Sequence, residues 1–280
     1  MRPLLLTSDL HFTPKYFRWL AEHGGEYQVI AIAGDLCDFF LAEEALSDEL
    51  LIERGRTRKT SERISIPAQW ARVEEWLAEI GETTAVIFCS GNHDCGIWRL
   101  KSSPAVHGDL TICETESFIL ASVPWADGDQ TRVDAIFSAA EVVLTEAQKR
   151  SLRTRKPLFV LNHEPPSRET LNGRHIVEVL KKYRPACLGC GHLHHDPYLR
   201  GWVTREGITC CFNAGNHEAI TGDEFAAPNH ILVFPPDAEG ESRAEWHHLT
   251  LDGTGAFAWE ISCANVKTEV AGGDVCDGGR

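Results

Sequence analysis

Short apolar runs alternate with amphipathic stretches through the first half of the chain, the arrangement expected of strands alternating with helices. Residues 4–6, 29–33 and 85–89 are wholly apolar and bounded by turn-forming residues, which predicts strands buried on both faces. Residues 15–22 read as a helix between the first two. Trp70, Val73, Trp76, Leu77 and Ile80 recur at helical spacing, so 67–80 predicts a second helix, opened by Pro67.

The strand series continues at 117–123, 158–161 and 186–188, with helical patterns around 133–153 and 174–182. From Gly207 the texture changes to strands, at 207–213, 229–234, 243–251 and 256–261, expected to be mainly antiparallel. Together these predict one α/β sandwich over residues 1–262. Residues 41–66 do not fit the alternation. They are acidic at first (Glu43, Glu44, Asp48, Glu49) and then basic (Arg54, Arg56, Arg58, Lys59, Arg63), which reads as a solvated insertion or as a cap facing an anionic substrate. Residues 263–280 are Gly-rich and aperiodic, and are expected to be a disordered tail.

Composition is that of a globular protein, with 43% hydrophobic and 24% charged residues, but thirteen histidines, several beside Asp, Asn and Gly, mark where chemistry should be sought. The formal net charge of −14 repels a polyanion, so long DNA or RNA is not an expected partner. A small phosphoester is not excluded, because bound cations reverse the sign of a pocket. The first apolar run is too short for a signal peptide and no stretch suits a bilayer, so a cytoplasmic location with no membrane partner is expected. Ten cysteines in a chain of 280 residues read as reduced thiols rather than a disulfide scaffold. Cys187 and Cys190 form a CxxC, but Cys210-Cys211 is not the spaced second pair a zinc site would want.

Five short motifs follow predicted strands: Asp9-Leu10-His11, Gly34-Asp35-Leu36-Cys37-Asp38, Gly91-Asn92-His93-Asp94, Asn162-His163-Glu164 and Gly191-His192-Leu193-His194. In an open α/β sheet, loops at the carboxyl ends of the strands converge, and ligands bind there. Carboxylates gathered in one such volume would repel each other and lose hydration, a problem that divalent cations remove. Each motif alone has an ordinary structural reading. Asp9 or Asp35 could be a helix N-cap, His163 a core histidine, and Gly91-Asn92 a turn. Five in series would require independent coincidences.

The ordered series DxH, GDxxD, GNHD, H and GHxH, spanning residues 9–194, resembles the calcineurin-like metallophosphoesterase superfamily. The resemblance implies a four-layer α/β/β/α sandwich with mixed sheets. It also implies that Asp9, His11 and His194 hold one metal, that Asn92, His163 and His192 hold a second, and that Asp35 bridges them. His93 would face the substrate, hydrogen-bonded by Asp38.

Oxygen and imidazole ligands without thiolate suit manganese, iron or zinc. Two such ions can deprotonate a shared water and clamp phosphoryl oxygens, with His93 as general acid oriented by Asp38. The expected function is hydrolysis of a small phosphodiester or phosphomonoester, with the diester preferred by family analogy. Ser90 before the GNH triplet and Asp94 after it depart from the Ser/Thr protein phosphatases, and His93 departs from the lipid-sugar pyrophosphatases. The alternative from another class is a non-catalytic metal-binding scaffold or protein-interaction subunit of the same fold.

Around this set, His195 would point away from His194 in an extended segment. His217 reads as a surface-loop residue that could approach a substrate. Asp94 and Glu164 are candidates for orienting the ligating histidines.

Overall fold

Four strands run parallel and side by side: β1 (Leu4–Thr7), β2 (Val29–Ala33), β3 (Ala85–Cys89) and the short β4 (Val106–His107). They are apolar on both faces because both faces are covered. With side chains alternating along each strand, Leu4, Leu6 and Ala31 join an inner core, while Leu5, Ile30, Ile32 and Phe88 join an outer one. Helices α1 (Pro14–His23) and α2 (Ile66–Gly81) supply the rest of the outer core through Phe17, Leu20, Trp70, Val73, Leu77 and Ile80.

Three antiparallel strands extend this sheet beyond β1, namely β11 (His230–Val233), β12 (Ser242–Leu249) and β13 (Ala256–Cys263). A second, six-stranded sheet runs in the order β5 (Ile112–Glu114), β6 (Ile119–Ser122), β7 (Leu158–Leu161), β8 (Cys187–Cys190), β10 (Thr209–Asn213) and β9 (Trp202–Glu206). Its middle four strands are parallel and its edges antiparallel. Helices α3 (Gln130–Thr154) and α4 (Leu171–Tyr183) cover its outer face, burying Val133, Phe137, Leu144, Ile176 and Leu180 against Ile119, Val160 and Leu188.

The inner core joins the two sheets, with Leu6, Ile87, Phe118, Phe159, Leu161, Phe212 and Ile231 interleaved. The result is the expected α/β/β/α sandwich with two mixed sheets. Because β2 packs against β7 and β8, the carboxyl ends of strands from both sheets meet at one edge.

This computed structural model describes residues 2–39, 64–94, 96, 103–126, 128–193, 202–215, 227–237, 242–249 and 256–263. Expectations for 41–63, His194, His195, Asn216, His217 and 264–280 lie outside the described residues. Among those described, no helix is long and apolar enough to cross a membrane. Cys37, Cys89, Cys113, Cys187, Cys190, Cys210 and Cys211 are free and buried, in keeping with reduced thiols.

Several expectations need correction. Strand β8 ends at Cys190, not 188, because Gly189 belongs to the strand: a Cβ there would meet Leu6 Cδ1 at 2.6 Å, so the bare backbone permits the sheets to close. Cys263 closes β13 and so is not the first residue of a tail. The later strands do pair mainly antiparallel, as expected, with β10 alone running parallel to β8. Strands β4, β5 and β9 were not expected from the pattern.

Candidate metal centre

The loops after β1 and β2 are zipped together by backbone hydrogen bonds. Asp9 N donates to Gly34 O (3.0 Å), His11 N to Asp35 O (2.9 Å) and Phe12 N to Leu36 O (2.8 Å). Such close pairing bends the chain hard. Asp9, His11, Phe12 and Asp35 have φ of 55°, 44°, 50° and 53°, and His192 has 67°. Side chains avoid this left-handed region, at a cost on the order of 1–3 kcal/mol each, and its use clusters at functional sites.

Glycine is required at two positions around Asp35. A Cβ on Gly34, itself at φ 86°, would collide with the His163 ring, and one on Gly91 would collide with the Asp35 carboxylate.

Asp35 lies at the centre. It is 1% exposed, and its Oδ2 is 3.3 Å from His163 Nε2, 3.8 Å from His11 Nε2 and 4.0 Å from His93 Nε2. Its Oδ1 accepts from His93 N at 2.9 Å. Burial opposes its charge, yet the His163, His93 and His11 imidazoles hold its carboxyl well below the usual carboxylate range.

His163 is fully buried and answers that charge. Burial disfavours its proton, but Asp35 outweighs burial and pushes its pKa up to about 10. Its geometry agrees: Nδ1 faces the Ala33 carbonyl at 2.8 Å, while Nε2 faces Asp35 and, at 3.0 Å, Asn92 Oδ1. Both nitrogens point at acceptors. If a cation replaced the proton on Nε2, the Nδ1–H to Ala33 would already select the tautomer a ligand needs.

The second sheet brings in His192. Its backbone N donates to Asp9 Oδ1 (3.1 Å), its Nδ1 lies 2.8 Å from Asn92 Oδ1, and its Nε2 lies 3.8 Å from Glu164 Oε2. Glu164 is held in turn by Thr170, whose hydroxyl donates to Glu164 Oε1 (2.7 Å) while accepting from Gly173 N to cap α4. Asn162 fixes the same loop by donating to the carbonyls of Val123 and Pro124. Asn213 donates to Gly191 O at 2.6 Å.

Asp94 ties two of these loops together. Its carboxylate accepts from Cys37 N (2.8 Å) and Gly91 N (2.7 Å), tying the β2 loop to the β3 loop rather than orienting a histidine through these bonds. Burial first, and the charge of Asp35 second, push its pKa up to about 7.

His93 Nδ1 is 3.5 Å from Asp38 Oδ1 and accepts from Phe39 N at 3.2 Å. The carboxylate calls for a proton on that nitrogen and the amide for a lone pair, so the atom sits between two demands. Buried Gln69 holds the Asp38 backbone from both sides, accepting from Asp38 N and donating to Asp38 O. Gln69 was missed in the sequence, where it reads only as a residue of helix α2. Trp125 was missed as well. Its ring lies 5.0 Å from that of His192 and 5.5 Å from that of His163. An aromatic in the loop directly after β6, at the same sheet edge as the motifs, was the available signal.

Asp9, His11, Asp35, Asn92, His93, His163 and His192 are thus brought together, with Asp38 behind His93. Among the described histidines, cysteines, aspartates and glutamates, two groups have ligand atoms all within 4.8 Å of one another: His11, Asp35 and His93, and Asp9, Asp35 and His163. They share Asp35, as a bridging carboxylate would require. They divide the other residues differently from the family pattern, placing Asp9 with His163 and admitting His93. The donors are oxygen and imidazole throughout, a set suited to a manganese, iron or zinc ion.

A two-sheet α/β sandwich that gathers such donors at its strand ends defines a metallophosphoesterase fold with a candidate metal centre. The chain belongs to the calcineurin-like phosphoesterase family, whose model matches residues 2–196.

Among solved structures it is similar to TT1561 of Thermus thermophilus, at 14% identity over 92% of this chain and 98% of that one, with a TM-score of 0.50. It is also similar to Vacuolar Protein Sorting 29 from Cryptosporidium parvum, at 14% identity over 94% and 98%, with a TM-score of 0.48. At this identity the first of these likenesses speaks for the fold alone. No curated protein matches the chain.

Proposed function

We propose that the chain hydrolyses a small phosphoester at a two-metal centre. Asp9, His11 and His194 serve one ion, Asn92, His163 and His192 the other, and Asp35 serves both. The observation that carries this reading is Asp35 itself: a buried carboxylate with imidazoles from three separate loops within 3.3–4.0 Å of one oxygen. Fixing a charge and several strained backbones in one buried volume costs stability, which ligand binding offsets.

Two ions held there would activate a water and neutralise phosphoryl charge. His93 donates a proton from Nε2 to the leaving oxygen, and Asp38, 3.5 Å from Nδ1, orients the ring. His93 is assigned to the proton rather than to a metal on the family pattern, and Asp38 and Phe39 N, both on its Nδ1 side, fix how Nε2 is presented. Glu164, close to His192 Nε2, orients that ring so that Nδ1 faces the centre. A singly charged diester suits a chain of net charge −14 better than a dianionic monoester.

Turnover of bis-p-nitrophenyl phosphate and p-nitrophenyl phosphate by manganese-loaded protein tests the proposal. Hydrolysis of both, faster for the diester, is expected. Hydrolysis of neither would leave a non-catalytic scaffold.

A further inference from the structure

The proton donor and Trp125 occupy different halves of the centre. His93 packs edge-on against His11, with ring centroids 4.6 Å apart. Trp125 packs against His192 and His163 instead. A leaving group protonated by His93 therefore sits on the His11 side. On that reading the ester group that stays on phosphorus lies on the Trp125 side.

The Trp125 indole is half-buried, and the backbone that carries it is anchored. Its backbone N donates to Ser90 O at 3.1 Å, and the two preceding carbonyls, of Val123 and Pro124, are both held by Asn162. A large flat, half-buried side chain beside the histidines of a charged centre offers a surface for stacking. The rim is apolar elsewhere too. Phe39, following Asp38, is 38% exposed, and Leu193, following His192, is 37% exposed, making two of the four large hydrophobics exposed among the described residues.

We infer that Trp125 is a specificity-determining residue that stacks a flat aromatic ring carried by the retained ester group, so that the substrate is an aryl or nucleoside phosphodiester. This rests on the phosphoesterase reading and narrows its substrate class. The net charge of −14 limits that substrate to one short enough to avoid a run of phosphates.

The test uses diesters with a common p-nitrophenolate leaving group: p-nitrophenyl phenyl phosphate, p-nitrophenyl ethyl phosphate and p-nitrophenyl thymidine 5′-phosphate. Manganese-loaded wild type, Trp125→Ala and Trp125→Phe are compared. The phenyl-to-ethyl ratio of kcat/KM is expected to fall roughly tenfold in Trp125→Ala, the scale of one aromatic stack. Trp125→Phe should keep most of it.

Calorimetric binding of phenyl phosphate and ethyl phosphate gives a readout independent of turnover. The preference for phenyl phosphate should disappear in Trp125→Ala. A thymidine ester that outperforms the phenyl ester identifies a nucleoside as the source of the ring, and the reverse order identifies a simple aryl group. Loss of activity by the same factor on all three esters, with the binding preference intact, would overturn the assignment and leave Trp125 as a wall behind the histidines. No turnover of any ester by wild type would overturn the phosphoesterase reading, and this inference with it.

Discussion

The inner and outer halves of the centre are built differently. Asp9, His11, Asp35 and His163 are at most 1% exposed, and each is fixed by a backbone partner or by a left-handed turn that a backbone hydrogen bond enforces. Asn92 is exposed and His192 partly so, and these two meet mainly through each other and His163. The inner half therefore behaves as part of the core, with its geometry set by folding. The outer half is open to solvent and to substrate, and its geometry depends on what it binds.

Substitution should separate the halves. Asp35→Asn removes the charge that both groups of donors share, so both ions should bind more than about a hundredfold more weakly, beyond the scale of changes made outside the ligands. Asn92→Ala should weaken one ion only. Metal titration followed by elemental analysis distinguishes the two patterns, and equal losses in both variants would erase the distinction.

A smaller effect on metal binding is expected at His93, which the proposal assigns to the proton rather than to an ion. His93→Ala should keep its metal while kcat falls roughly a hundredfold or more, the usual contribution of general acid catalysis. Unchanged turnover would remove His93 from the chemistry.

The smallest effect concerns the metal-stripped protein. Folded His163 keeps its proton up to about pH 10, against an ordinary value of 6.5. Its contribution to stability is complete below 6.5 and drains away as the pH climbs through about 10. Asp94 acts in the same direction over a lower range, from 3.8 to about 7. Asp35 acts only at the acid end, since its contribution is present above 3.8 and is lost as the pH falls through its lower folded value. Urea midpoints of the stripped protein should therefore fall between about pH 6 and about pH 9, and a flat profile would contradict the pairing of His163 with Asp35. Over the same range metal affinity should rise, because the ion must displace the His163 proton.

Much of this was legible in the chain. Strands β2, β3 and β7 were read to the residue, because runs such as Val29–Ala33 are apolar throughout and leave no ambiguity of phase. Helix α2 was legible from Trp70, Val73, Leu77 and Ile80, which face the sheet at helical spacing. Strands β4 and β5 have two and three residues, too few for any alternation to show. The end of β8 was misplaced because glycine signals a turn locally, whereas Gly189 answers a contact from Leu6 on the other sheet.

At the centre the motif residues were all recognisable by type and order. The left-handed backbones of Asp9, His11, Asp35 and His192 were not, since they follow from the pairing of two loops distant in sequence. Nor were Gln69 and Trp125, whose roles depend on what the fold sets beside them.

Anomalous scattering from crystals grown with manganese tests the account most directly. Two peaks are predicted, one against each side of the Asp35 carboxylate, the first beside Asp9 and His11 and the second beside Asn92, His163 and His192. A single peak, or peaks remote from Asp35, would contradict a shared carboxylate at the heart of the site.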